Sequence, residues 1–91
     1  MLKWDKKEMA GLGCVVYSFE KSGDILDIHT HTKPEQNHIT IVLFGTIRCI
    51  GAPGIDGDVL FPGDCRDWPL GIEHGFVALE DGAKILNIAK S

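Results

Sequence analysis

A chain of 91 residues is long enough for one small domain, residues 1–91, and too short for two. Its net charge is −4 with histidine neutral, and its nine lysines and arginines are scattered, which argues against nucleic-acid binding and against a basic helix on a membrane surface. The longest apolar run, residues 41–44, cannot span a bilayer, and "MLKWDKKEMAG" carries charge with no apolar stretch behind it, so a cytoplasmic protein is the expectation.

In chain order, the first segment, "DKKEMAG", allows either one turn of helix or an edge strand. Strands are predicted over residues 13–20, 25–31, 38–44, 46–50, 58–61, 74–80 and 84–90, each rich in Val, Ile, Phe or Thr. The turn-formers "KSGD", "TKPEQN", "GAPGIDGD", "PGDCRDWPLG" and "EDGA" separate them, and "EDG" at 80–82 reads as a hairpin turn. No stretch carries a helical period of useful length. Closely spaced antiparallel strands without helices mean a sandwich or a barrel. Cys14, Cys49 and Cys65 are odd in number and widely spaced, so they read as small buried hydrophobes in a reducing compartment rather than as a disulfide frame.

The strand over 38–44, "HITIVLF", is apolar on both faces. His38, Thr40, Val42 and Phe44 face one way, and Ile39, Ile41 and Leu43 the other. An antiparallel strand with one wet face should alternate, so this one is expected to be covered on both sides. A homodimer would cover it; a further strand or the N-terminal segment folding over it would do the same.

His29 and His31, one residue apart in an extended segment, share a face, which is how a strand offers two imidazoles to one metal ion. Alone, that pattern is weak, because two solvent-facing rings give the same spacing. His74 adds to it, opening the apolar strand "HGFVAL" after "GDCRDWPLGIE". Here the sequence resembles the cupin superfamily. Its first motif (Gly, five residues, His-x-His, three or four residues, Glu, six residues, Gly) is matched by Gly23, His29, His31 and Gly45. Its second (Gly, five residues, Pro-x-Gly, two residues, His, three residues, Asn) is matched by Gly63, Pro69, Gly71 and His74, with Ala78 in place of the Asn. The motifs occupy 23–45 and 63–78, well over half the chain. The resemblance implies an all-β, RmlC-like jelly-roll barrel (a double-stranded β-helix) with a metal site in its mouth, in a family whose members are often dimers. Gly45 is expected to close its strand with φ above zero, and Pro69-Leu-Gly71 to turn the chain so that His74 aims at the pair.

The third ligand of the first motif is usually Glu. Counting from His31, Glu35 has the right spacing; counting back from Gly45, the slot belongs to His38. A loop accepts an insertion cheaply, whereas a slip in a paired strand turns every side chain over, so the strand side should keep its count. The expected ligands are therefore His29, His31, His38 and His74, with Glu35 the alternative. Neutral imidazoles suit one divalent Fe, Mn, Ni, Zn, Co or Cu ion. Four ligands on an octahedral ion leave two positions open.

Around them, Asp27 shares the parity of His29 and offers a base or a rim residue, and Tyr17 is a second catalytic candidate. Thr40, Val42 and Phe76 are expected to line the pocket, with Arg48 and Trp68 as further contacts; an exposed rim place for Arg48 and a packing role for Trp68 are the ordinary alternatives. The expected function is a metal-dependent enzyme acting on a small molecule, dioxygenase-like. Isomerase, lyase and decarboxylase chemistries occur on similar small cupins. The alternatives are a non-catalytic module that binds a small molecule or sugar or holds a metal, and a closed structural zinc site.

Overall fold

The computed structural model describes residues 2–29, 38–51, 56–68 and 72–90, with the backbone alone for His29, His38 and Lys90. Among them run nine strands: β1 (Leu2–Met9), β2 (Leu12–Phe19), β3 (Ile25–His29), β4 (His38–Phe44), β5 (Ile47–Ile50), β6 (Val59–Leu60), β7 (Cys65–Trp68), β8 (His74–Ala78) and β9 (Ala83–Lys90). They form two antiparallel sheets, a large one in the order β1-β2-β9-β4-β7 and a small one in the order β3-β8-β5-β6. No helix among the described residues is long and apolar enough to cross a membrane.

The sheets pack face to face over one core. Phe19, Val42 and Ile85 enter it from the large sheet, and Ile47, Cys49, Phe76 and Ala78 from the small one. Sequence alternation produces this: residues two apart on each strand share a face, and the inward set is apolar. The β6–β7 side is stitched shut. Val42 N–H donates to Asp64 O (3.0 Å), Gly63 N–H donates to Val42 O (2.9 Å), and Arg66 meets Asp58 at 3.0 Å. The opposite side, between β1–β2 and β3, is a cleft of about 440 Å³ lined by Leu2, Trp4, Lys6, Val15, Tyr17 and Leu26.

The N-terminal segment is a strand, not a helical turn. A two-residue turn joins β1 to β2, with Ala10 at φ 53° and Gly11 at φ 78°. Positive φ at both central positions matches the twist of a tight hairpin. β1 lies in the plane of the sheet at the edge of β2, so it does not cover the outer face of β4. Two turn assignments need correction. "PGDCRDWPLG" contains β7, whose outward Cys65 and Asp67 are exposed and whose inward Trp68 is buried. Glu80–Gly82 does not close a hairpin, because β8 and β9 belong to different sheets; Gly82 N–H instead donates to Phe19 O (2.9 Å). Gly45 has φ 75°, as expected, and crosses from one sheet to the other; a Cβ there would stand 3.0 Å from Ala83. The cysteines are free thiols, but Cys49 is the buried one, Cys14 is half-buried and Cys65 is exposed.

Burial raises the Cys49 thiol above its ordinary 9.0 and the Tyr17 phenol above its ordinary 10.0. Both folded values are raised, so the unfolded chain ionises first as pH climbs. Unfolding free energy should therefore show no loss from these groups below about 9 and fall from there upward. Denaturant midpoints at pH 7, 9 and 10.5 check this, and a Cys49→Ala, Tyr17→Phe double variant should lose part of the slope.

Candidate metal centre

His74 is the expected ligand that the structure describes in full. It lies on the central strand β8 and is 1% exposed. Its Nδ1–H donates to Ile72 O at 2.9 Å. A carbonyl only accepts, so this bond places the ring proton on Nδ1 and leaves Nε2 as the ring's acceptor nitrogen, the candidate donor to a metal. A histidine oriented through one nitrogen while the other ligates is the usual arrangement at a metal. The chemistry of this donor thus fits a transition metal.

Trp68 holds the ring from the large sheet. The two rings are stacked, with centroids 4.6 Å apart and planes 8° from parallel. Phe76 meets His74 edge-on at 6.3 Å and Trp68 at 5.6 Å. The indole is itself fixed: Trp68 Nε1–H donates to Thr40 Oγ1 (2.9 Å), whose hydroxyl donates to Asn87 Oδ1 (2.6 Å). Thr40 and Asn87 are buried polar residues, and this chain of bonds satisfies them. Sequence reasoning missed Asn87; the signal was a lone amide in "ILNIA" with the parity of inward Ile85.

Backbone register brings two more histidines to this end of the barrel. His29 is the direct cross-strand partner of His74. His38 pairs with Trp68 on one side and Ala89 on the other, and has the parity of inward Thr40 and Val42. His31, Glu35, Pro69 and Gly71 lie outside the described residues, as do the side chains of His29 and His38. Among the described residues no group of three His, Cys, Asp or Glu stands together as a metal site.

A bulge sets the His29 register. Leu26 pairs with Phe76 and His29 with His74, so three steps along β3 match two along β8. The shift breaks the simple alternation expected between Asp27 and His29. Leu26 packs toward the core, whereas Asp27 is exposed. Gly75 makes the bulge possible: a Cβ there would sit 2.7 Å from Leu26 O and 2.9 Å from Ile28 N. An isolated glycine inside a strand signals such a close approach, and Gly75 in "HGFVAL" was overlooked.

Of the remaining candidates, Thr40, Val42, Trp68 and Phe76 are buried in the interior. Arg48 is not a pocket residue: it is exposed between inward Ile47 and Cys49, so it lies on the outer face. Tyr17 lines the side cleft rather than the surroundings of His74.

No family model and no curated protein matches the sequence. Solved structures do. KdgF from Halomonas sp. superposes with a TM-score of 0.81 at 24% identity, covering 99% of this chain and 81% of that one. A cupin superfamily protein from Desulfitobacterium hafniense gives 0.80 at 14% identity, over 99% and 77%. An RmlC-like cupin from Desulfovibrio desulfuricans gives 0.79 at 22%, over 98% and 82%. At these identities the likeness establishes the fold, which is the cupin jelly roll expected from the two motifs.

Proposed function

We propose that this protein binds one divalent transition metal (Fe, Mn, Ni, Zn, Co or Cu) through His29, His31, His38 and His74. With it, the protein acts as a metal-dependent enzyme on a small molecule, dioxygenase-like in chemistry. The observation that carries this reading is the pairing of His29 with His74, whose ring is held by Ile72 O and Trp68 with Nε2 as donor. Bound there, such a metal supplies open coordination positions and positive charge for an anionic substrate oxygen. The chain's part is to fix the His74 ring and to wall it with Trp68 and Phe76, which exclude water.

Elemental analysis of protein purified without a histidine tag should find about one metal per chain. His74→Ala should lose at least 90% of it, and oxygen uptake on a panel of diketones, phenols and thiols should go with it. His38→Ala should lose the metal and Glu35→Ala should keep it; the reverse result makes Glu35 the ligand. Metal-free wild-type protein ends the proposal.

A non-catalytic module that binds a small molecule or holds a metal is the second reading. The aromatic wall that Trp68 and Phe76 form against His74 supports it, since it suits the holding of an apolar ligand face. Bound metal with no turnover of any compound in the panel is the result it expects.

A further inference from the structure

The geometry points to a ligand site, separate from the metal centre, in the cleft between β1–β2 and β3, where a small aromatic carboxylate is held. The cleft exists because the two sheets differ in width. Five strands face four, and the β6–β7 side is closed, so the surplus falls on the other side, where β1 and part of β2 reach past β3. Among the described residues the small sheet supplies only Leu26 to the lining. The inward alternation of the large sheet nevertheless continues into the overhang. Leu2, Trp4 and Lys6 follow one another on one face of β1, opposite Phe19, Tyr17 and Val15 of β2. Leu2, Tyr17 and Leu26 pack half-buried against the core and make an apolar floor, whereas Trp4 is 65% exposed. An indole left in water beside such a floor marks a groove for a ligand rather than a piece of core. The cleft's volume of about 440 Å³ lies within the roughly 300–1,000 Å³ of small-molecule sites.

The lining residues set the ligand's chemistry. Trp4 stands directly across from Tyr17, so two aromatic side chains share one wall, which suits a flat aromatic body. Lys6 follows Trp4 on the same face and lies diagonal to Tyr17. Among the described residues neither the Lys6 ammonium nor the Tyr17 hydroxyl has a partner. An ammonium and a phenolic O–H beside one aromatic wall both donate, and the group that answers two donors with acceptors alone is a carboxylate. Burial raises the Tyr17 phenol above its ordinary 10.0, so it keeps the proton it donates. Glu8, the next residue on that face of β1, is not part of the lining. The site also stands apart from the histidines. Val15 and Tyr17 share rows with Asn87 and Ile85, whereas His38 lies one row further on, beside Ala89, and two strands away from β2, about 10 Å across the sheet. The inference therefore does not rest on a bound metal.

The chain's two tryptophans give two indole N–H signals in a proton–nitrogen correlation spectrum, and they differ in kind, since Trp68 is buried and Trp4 is not. Titration of the protein as purified with 1-naphthoate should shift the Trp4 signal, leave that of Trp68 in place, and give a dissociation constant below about 1 mM. 1-Naphthalenemethanol, the same ring without the charge, should bind about tenfold more weakly. Lys6→Gln changes only an exposed edge-strand side chain. It should bring naphthoate down to the level of the alcohol and leave the alcohol within about a factor of two of its wild-type affinity. Trp4→Ala, followed on the backbone amides of β2, should weaken both compounds at least about fivefold. Excess EDTA should change none of these values. Naphthoate that leaves the Trp4 signal unmoved, binds no tighter than the alcohol, or is indifferent to Lys6→Gln overturns the inference. Binding that disappears with EDTA places the carboxylate on a metal and overturns it equally.

Discussion

Gly75→Ala is expected to lower stability by about 3 kcal/mol and to remove most of the bound metal. The added Cβ would stand 2.7 Å from Leu26 O, 2.9 Å from Ile28 N and 3.1 Å from the Asp27 carbonyl carbon. All three are backbone atoms, so no side chain can swing aside. The strand must move, and the β3 bulge is what gives way. Without the bulge, pairing Leu26 with Phe76 sets Ile28, not His29, opposite His74. One methyl group thus moves the candidate ligand His29 by one register step, and a one-residue slip turns a side chain to the opposite face. For a domain of this size the loss corresponds to a fall in Tm of about 12–24 °C. Thermal unfolding of the metal-free variant reads the strain, and metal content of the loaded variant reads the register. A variant with wild-type Tm and full metal content would show that β3 relaxes in place, and the account of the bulge would be wrong.

That bulge also marks the boundary of what the residues disclose. β4 was legible to the residue, because seven consecutive strand-formers between "TKPEQN" and Gly45 leave no alternative. The cupin motifs added the order of the barrel, and Gly45 took its positive φ for the reason a tight crossing demands. β7 was hidden because an edge strand can place Cys65 and Asp67 in water, so "CRDW" has the polarity of a loop. Whether Glu80–Gly82 closes a hairpin depends on which sheet β8 and β9 each join, a nonlocal fact that no turn sequence encodes. Alternation alone left Asp27 open between a base and a rim residue, because it assumes an unbroken ladder, and the residue that breaks it, Gly75, sits on another strand 48 positions away. Arg48 shows the converse: one buried neighbour on each side is enough to put it outside, and strand parity within "IRCI" carries that signal. At the candidate metal centre the histidines stand out in the sequence, while the groups that aim them are ordinary core residues until their contacts are seen.

Thr40→Val tests those aiming groups. Valine matches threonine in shape and suits a strand, so the change removes little but the hydroxyl. That hydroxyl accepts from Trp68 and donates to Asn87 at once, a pair of roles that neither an acceptor-only nor a donor-only group can fill. Its loss leaves an indole N–H and an amide oxygen unsatisfied in the core, about 3 kcal/mol together. Thr40→Ser keeps both bonds and should cost about 1 kcal/mol, for the missing methyl. The comparison therefore separates hydrogen bonding from volume. Asn87→Leu placed on Thr40→Val removes one orphaned acceptor and should recover about 1 kcal/mol, a non-additivity expected of residues in one network. The consequence for the metal follows from the stack. With Nε1 released, Trp68 loses the bond that fixes its plane against His74, and the imidazole loses a wall. Metal affinity of Thr40→Val should drop about tenfold, within the range seen when an outer partner of a ligand is removed, while the Ser variant stays within a factor of two of wild type. Equal affinities in the Val variant and wild type would mean that Ile72 O alone orients His74, and that the tryptophan only fills space.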